Sequence, residues 1–327
     1  MNLLKFLSSV LVLAFCFQSC TIESEGIKAS SGRTGEILCI VDRQHWNDIV
    51  GDSIRRTFGG EFFGLPQQEP MFNLAHIEER AFTKMFESHR NIFIADIKPE
   101  HQPDIEVRKN VWAQPQVVVK IKAPDINSFL EKFGHYHSQI AGFYLENERE
   151  RMKRAFKRDE DESIGRRIRE HFGFSLVVPK GYFIAKMKDD FFWVRRETEE
   201  TSIGFLIYTI PYTDTLVFEP DRIIELRDIM TKLYVPGPRE GSYMQVSQKV
   251  VLPQFQEIDF KGHYAIETRG LWDLHGDFMG GPFINYTFVD EANQRVITLD
   301  GFVYAPRYDK RDYVFQTEAL IFSFEYE

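Results

Sequence analysis

One short segment, residues 272–277, brings together side chains that could bind a metal ion or move a proton. If the segment is extended, the alternation of side chains along a strand places Asp273, His275 and Asp277 on one face. Two carboxylates beside an imidazole favour its charged form, and the three groups could supply metal ligands or a general base. The alternative is an amphipathic strand whose polar face contacts water while apolar neighbours such as Phe278 pack inward.

Motifs of several enzyme classes do not occur in the sequence. No serine stands in Gly-x-Ser-x-Gly, no Gly-Lys pair could form a phosphate-binding loop, and no histidine precedes a glutamate as in zinc-protease helices. The net charge of -9 disfavours a general nucleic-acid partner. The sequence therefore favours a non-catalytic binding or assembly protein without cofactor or resident metal. An envelope hydrolase or metal-dependent enzyme using Asp273, His275 and Asp277 is the alternative.

The first twenty residues predict an export signal. Lys5 is the only charge before Glu23, and the apolar run 6–17 is too short for a permanent transmembrane helix. The run ends at Ser19-Cys20, which resembles the lipobox of bacterial lipoproteins in the loose form found in Bacteroidetes. The resemblance implies removal of residues 1–19 and attachment of lipid to Cys20. An ordinary secretory signal that is cut nearby is the alternative.

The lipobox resemblance also implies a location. We expect an outer-membrane lipoprotein that faces the periplasm or the cell surface, with the membrane as one partner and an envelope protein as a second. Residues 20–35 are polar and without periodicity, as in a tether. Of the three cysteines, Cys16 leaves with the signal and Cys39 lies in an apolar run, which favours a buried core residue over a nucleophile.

The first half of the chain predicts a small α/β layer over residues 36–158, because runs that are apolar throughout alternate with helical patterns. The expected strands are 36–41, 91–97, 105–112 and 116–122. The expected helices are 46–58, 78–88 and a long one from Asp125 toward Phe156.

The long helix ends in a basic stretch, residues 149–158, followed by the acidic run 159–162. This change of charge predicts the boundary with a second domain over residues 163–327. The basic stretch could contact anionic lipid head groups beside a lipid anchor. A helix face that is simply solvated is the alternative.

The second half predicts an antiparallel sheet with flanking helices, so the whole chain is expected to be α+β. The expected strands are 174–178, 182–187, 191–196, 202–210, 243–251, 256–260, 263–274, 283–289 and 295–304. The expected helices are 164–172, one that begins at Pro220, and 309–324. The segment 174–182, the strand at 262–267 and the late hairpin resemble a domain of the Mog1/PsbP type.

Several short segments together resemble a Bacteroidetes lipoprotein family that is known as domain of unknown function 4837. These are the lipobox, Gly51-Asp52-Ser53-Ile54-Arg55, Gly64-Leu65-Pro66-Gln67, Phe278-Met279-Gly280-Gly281-Pro282-Phe283 and Asp300-Gly301-Phe302-Val303-Tyr304. The resemblance extends over nearly the whole chain. It implies a location and a fold, and no catalytic residues.

Overall fold

The structure is a computed structural model that describes residues 27–326. The predicted signal segment 1–19 and the predicted lipid-bearing Cys20 lie outside these residues. The strands of the first half are β1 (Lys28–Ala29), β2 (Glu36–Val41), β3 (Asn73–Ile77), β4 (Asn91–Ile97), β5 (Asp104–Lys109), β6 (Ala113–Gln114) and β7 (Val117–Ala123). Its helices are α1 (Arg43–Trp46), α2 (Ile49–Phe58), α3 (Lys84–Glu87) and α4 (Ile126–Arg158).

Five of these strands form one sheet in the order β3-β2-β4-β7-β5, which is parallel except for β5. Both faces of the sheet are covered, which explains why β2 and β4 are apolar throughout. Cys39 of β2 is fully buried, and this burial raises the pKa of its thiol. The α/β layer expected for the first half is therefore present.

Several elements of the first half differ from the sequence expectation. The short strands β1, within the predicted tether, and β6 have no predicted counterpart. The predicted helix 78–88 is broken into a short 3₁₀ turn at Glu79–Ala81 and helix α3, because Thr83 between them is extended. Strand β3 has no counterpart among the predicted strands and pairs with β2 in parallel. By contrast, α4 begins as expected, since the side chain of Asp125 accepts a hydrogen bond from the backbone N–H of Ser128 at 2.9 Å.

The second half contains the helices α5 (Glu162–Phe172), α6 (Pro220–Tyr234) and α7 (Arg311–Ile321). Its strands are β8 (Phe174–Ser175), β9 (Phe183–Lys188), β10 (Phe191–Glu197), β11 (Ser202–Pro211), β12 (Tyr243–Ser247), β13 (Gln254–Phe260), β14 (His263–His275), β15 (Gly280–Asp290), β16 (Arg295–Tyr304) and β17 (Glu325–Tyr326). Within residues 27–326, eight of them form one antiparallel sheet in the order β12-β14-β15-β16-β11-β10-β9, with β13 also paired to β14. The fold class is α+β, as the sequence predicts.

The alternation of side chains in this antiparallel sheet builds two separate cores. Phe192 and Val194 of β10 face the core that includes α5 and α7. Their neighbours Phe191 and Trp193 face the opposite core, beside α6. The sheet therefore has protein on both faces, and its two cores are both rich in aromatic rings.

The two halves of the chain share a core. Phe62 and Leu65, from the loop after α2, belong to the core of the second half, where the Phe62 ring meets that of Phe315 at 5.3 Å. Helix α4 packs against α7. None of the helices described between residues 27 and 326 is long and apolar enough to cross a membrane.

Candidate functional site

Asp273 lies on β14, opposite Gln245 of β12. One of its carboxylate oxygens accepts a hydrogen bond from Gln245 Nε2 and the other from Lys249 Nζ, both at 2.9 Å. Partial burial alone would raise the pKa of Asp273, but the hydrogen bonds from Lys249 and Gln245 outweigh it and lower the pKa. The carboxylate is thus held charged by neighbours other than His275.

The strand ends at His275, and Asp277 lies beyond it in a turn that passes through Gly276 at a φ of 78°. The exposed His275 ring stacks on Tyr243 with 4.8 Å between ring centroids, and the nearest cation to Asp277 is Arg239 at 3.6 Å. Phe278, expected to pack inward, is 92% exposed. No three His, Cys, Asp or Glu residues of the described chain come together as a metal site. Asp273, His275 and Asp277 each have separate partners.

The same face of β14 carries a buried ionic network. Arg269 Nε lies 2.6 Å from Glu267 Oε1, and its terminal nitrogen lies 2.8 Å from Glu318 Oε1 of α7. The Tyr286 hydroxyl is 2.8 Å from Glu267 Oε2 and 3.1 Å from Glu318 Oε1. Arg149 of α4 reaches Glu318 at 3.4 Å. We call these five residues the ionic network, and they join α4, α7 and the sheet.

Opposite charges in the ionic network set its protonation states. Burial alone would raise the pKa of Glu267, but the charge and hydrogen bond of Arg269 and the hydrogen bond of Tyr286 lower it overall. Burial likewise opposes the charged form of Arg269, yet Glu318 and Glu267 raise its pKa. Each charge is matched by an opposite charge at hydrogen-bond distance, so the network is built to join elements of the fold.

A cavity of about 400 Å³ opens on the other face of the same sheet. It is lined mostly by aromatic and aliphatic side chains, and we call it the aromatic cavity. Its apolar lining comes from Trp193, Val235, Met244, Trp272, Leu274, Met279, Phe302 and Tyr304. The loop Pro236-Gly237-Pro238 between α6 and β12 forms one wall, while Arg195 and Glu197 stand at the polar edge.

The two tryptophans of this cavity differ in one respect. Trp272 Nε1 donates to the backbone carbonyl of Val303 at 3.2 Å. Trp193 is only 8% exposed, and its Nε1 has no hydrogen-bond partner in the described part of the chain. A buried donor without an acceptor costs about 1–3 kcal/mol.

Arg195 lies beside this unpaired hydrogen-bond donor. Its guanidinium lies 4.6 Å from the Trp193 ring centroid, and its NH1 lies 3.1 Å from Glu197 Oε1. Arg195 Nε is also buried without a partner among residues 27–326. The cavity therefore combines an apolar lining with the charged side chains of Arg195 and Glu197, a pattern typical of sites for small ligands.

Sequence patterns did not identify the two candidate ligand-binding residues on β10, Trp193 and Arg195. Residues 191–196 read only as an aromatic strand, and period-two alternation places Trp193 and Arg195 on the same face. That pairing of a large aromatic ring with a cation was the available signal. The cavity itself depends on Val235 and Met279, which lie far along the chain, so no local pattern marks it.

Two family models match the chain. Residues 161–323 match a family described as "Domain of unknown function (DUF4837)", and residues 30–157 match one described as "Domain of unknown function (DUF8532)". The second half thus carries the domain of the family that the sequence resembles. That match is narrower than the resemblance over nearly the whole chain, since the first half matches a different family. No curated protein matches the sequence at a significant level.

Among solved structures, the chain is similar to the Ran-binding protein Mog1p of Saccharomyces cerevisiae, with 12% identity and a TM-score of 0.30 over 47% of this chain and 90% of that one. A point mutant of Mog1 gives 10% identity and a TM-score of 0.29 over the same shares. The lipid transfer and protein localization domain of human StarD13 gives 9% and 0.22, over 50% of this chain and 95% of that one. Likenesses at this level carry no argument about what this chain binds.

Proposed function

We propose that the protein is a lipid-anchored, non-catalytic binding protein of the cell envelope, and that the aromatic cavity receives its ligand. The observation that carries the proposal is an apolar cavity of about 400 Å³ whose lining includes the cation Arg195 and Trp193, a residue with an unpaired buried Nε1 donor. This volume lies in the usual range for small-ligand sites, about 300–1,000 Å³. The expected ligand has an apolar or aromatic body and an oxygen that accepts a hydrogen bond.

The chemistry of the cavity supports this class of ligand. Burial of an apolar ligand body against Trp272 and Phe302 contributes about 25 cal/mol per Å² of surface removed from water. An acceptor oxygen would approach Arg195, whose charge strengthens the contact when the oxygen is anionic. It would pair with Trp193 Nε1, which is closed off from solvent in the free protein, once the neighbouring side chains move aside. A purely aliphatic ligand would leave the indole N–H unpaired.

The anchor and the location depend on the lipobox-like end of the apolar run 6–17 at Ser19-Cys20. Bacterial lipoproteins of the Bacteroidetes type carry lipid on the first cysteine of the mature chain. The proposed protein is therefore held at the outer membrane by Cys20, facing the periplasm or the cell surface, and presents the aromatic cavity to a ligand or envelope partner there.

Anilinonaphthalene sulfonate is a suitable probe of the cavity, because it joins an aromatic body to acceptor oxygens and gains fluorescence in apolar sites. We expect saturable binding to the native protein, weakened about fivefold in Trp193→Phe, which removes one hydrogen bond. Trp112→Phe is the matched control, since Trp112 packs against Phe82 in the first half. Equal affinity of the Trp193→Phe variant and the native protein would overturn the assignment.

The anchor has its own test. Cys20→Ala should move the protein from the membrane fraction to the soluble fraction of fractionated cells and abolish labelling by radioactive palmitate. Cys39→Ala is the control, because that thiol is buried in β2 and unable to receive lipid. Continued membrane attachment of the Cys20→Ala variant would contradict the anchor.

A further inference from the structure

A second cavity, of about 540 Å³, lies between the end of α4, the turn after β5 and the turn between β13 and β14. We call it the basic cavity. In the described chain its lining holds five cationic side chains, from Lys109, Arg149, Lys153, Arg154 and Lys261, and two carboxylates, from Glu146 and Glu150. The excess of positive charge stands out in a protein whose net charge is -9.

The two carboxylates of this cavity are already occupied. Glu146 lies 3.4 Å from Lys109 Nζ, and Glu150 lies 2.9 Å from Arg154 Nε and 3.7 Å from Lys153 Nζ. Together with Glu318, which pairs with Arg149, they neutralise part of the cluster and leave it positive. Partial burial, and after it the positive charge of Lys153, lower the pKa of Lys261.

The backbone of the basic cavity is also unusual. Asn110 and Lys261, which both line it, have φ values of 56° and 57° in the left-handed region. This conformation costs a residue with a Cβ about 1 kcal/mol or more, whereas glycine adopts it freely. At Lys261 the chain thus places a long cationic side chain in a turn where glycine would be more stable.

A third cavity, of about 580 Å³, lies beside the same basic end of α4. Its charged lining consists of Arg151, Arg154, Lys157 and Arg158, and its other wall includes Ile27 and Ser30. Arg151 donates to the Ser30 carbonyl oxygen at 2.8 Å, which fixes the start of the described chain to this surface. The segment that leads back to Cys20 therefore departs from the basic face of the molecule.

The length of that segment limits how far this face can be from the anchor. Cys20 precedes Ile27 by seven positions. Even fully extended, seven residues span at most about 25 Å. A lipid on Cys20 would therefore keep both cationic cavities within reach of the bilayer surface. A Lys or Arg that comes within about 8 Å of anionic lipid gains about 1 kcal/mol.

We propose that this basic face lies on the membrane and that the basic cavity receives the phosphate of an anionic phospholipid head group. The proposal rests on the lipid anchor of the proposed function for the nearness of the bilayer. The attraction between Lys153, Lys261 and a phosphate does not need the anchor. Contact of the basic face with the membrane would fix the orientation of the aromatic cavity relative to the bilayer. Without that contact, the protein could rotate freely on its tether.

The test uses the whole mature chain, residues 20–327, with Cys20→Ser so that no lipid is attached. We expect it to sediment with vesicles of phosphatidylcholine that contain one-third phosphatidylglycerol, and to remain soluble with phosphatidylcholine alone. Binding should weaken strongly between about 0.1 M and about 0.5 M salt. The Lys153→Gln and Lys261→Gln double variant should bind about tenfold more weakly.

The matched control removes two cations from strand β9, by Lys186→Gln and Lys188→Gln, and should bind like the parent chain. Equal binding to both kinds of vesicle, or an unaltered affinity of the Lys153/Lys261 variant, would overturn the proposal. Binding of inorganic phosphate in calorimetry without any vesicle binding would overturn the membrane assignment. Because the tested chain carries no lipid, these outcomes do not bear on the anchor at Cys20.

Discussion

Two sets of buried polar groups, on opposite faces of the eight-stranded sheet, are hydrogen-bonded to different degrees. On one face, Glu267, Arg269 and Glu318 of the ionic network match every charge with an opposite charge at hydrogen-bond distance. On the other face, Trp193 presents a buried N–H that has no acceptor in the described chain. Removing one partner of a fully paired buried group destabilises the fold, whereas an unpaired buried donor costs free energy until an acceptor reaches it.

This difference separates groups that hold the molecule together from groups available to a ligand. By residue type alone, two glutamates, an arginine and a tyrosine look more catalytic than a tryptophan in an aromatic strand. The hydrogen-bond partners reverse that ranking of candidates. The charged groups of the ionic network are already paired with one another and join α4, α7 and the sheet. Mutations in the ionic network should therefore affect stability, and mutation of Trp193 should affect binding.

The largest effect is expected for Glu318→Ala. The Glu318 side chain is 3% exposed and lies 2.8 Å from Arg269. Its removal leaves a buried guanidinium with one partner fewer, which costs about 3–5 kcal/mol in the free energy of unfolding. Urea denaturation measures this loss.

The matched control for that variant is Glu225→Ala. Glu225 pairs with Arg222 on the exposed side of α6, where the two side chains are 57% and 45% exposed. Such a surface pair contributes about 0–1 kcal/mol. If Glu318→Ala is no more destabilising than Glu225→Ala, the ionic network does not stabilise the packing of α4 and α7 on the sheet.

Low pH should also destabilise the ionic network, but by less than Glu318→Ala does. Protonation removes the charge of Glu267 but leaves its carboxyl group in place. The folded pKa of Glu267 lies below its ordinary value of 4.5. A lowered pKa contributes stability that is present above the ordinary value and is lost as the pH falls through the folded value. The free energy of unfolding should therefore decline below about pH 5, and Glu267→Gln should flatten the decline. An unchanged slope in that variant would argue against the assignment.

A smaller loss is expected for Glu69→Ala. Helix α7 has no side-chain cap of its own, and the Glu69 carboxylate accepts from the backbone N–H groups of Lys310 and Arg311 at 2.7 and 2.8 Å. Loss of a helix cap costs about 1–2 kcal/mol. Glu69→Gln keeps one acceptor and should lose less, as judged by urea denaturation of both variants. Equal stability of Glu69→Ala and the native chain would show that the cap is unimportant.

Much of the fold was predictable because its signals are local. The apolar runs at 91–97 and at the start of β10, and the many apolar residues of β16, can be recognised within a few residues of sequence. The failure at 78–88 is also local in origin, since helical spacing there is interrupted by an extended Thr83 that periodicity does not detect. Neighbours in three dimensions overrule propensity in such short segments.

The sites were much less predictable, since they depend on residues that are distant in sequence. Glu69 and Lys310 are 241 positions apart, and nothing in the loop around Glu69 identifies its partner. The one usable clue to the ionic network was Glu318 within the apolar stripe of α7, because a charge in such a stripe needs a buried partner. Asp273 and His275 were candidates because of their residue types and spacing. Type and spacing do not indicate whether other side chains already pair with these two residues.

The smallest effect on stability is expected for Trp193→Phe. The substitution deletes an N–H group that makes no hydrogen bond in the described chain and keeps a large aromatic ring against Arg195. The free energy of unfolding should change by less than about 1 kcal/mol, because the lost ring volume and the removal of an unpaired buried donor oppose each other. The contrast is Trp272→Phe, which leaves the Val303 carbonyl without its donor at 3.2 Å and should be clearly destabilising in the same urea titration. If Trp193→Phe were as destabilising as Trp272→Phe, the Trp193 N–H would already have an acceptor in the free protein, and the difference between the two faces of the sheet would disappear.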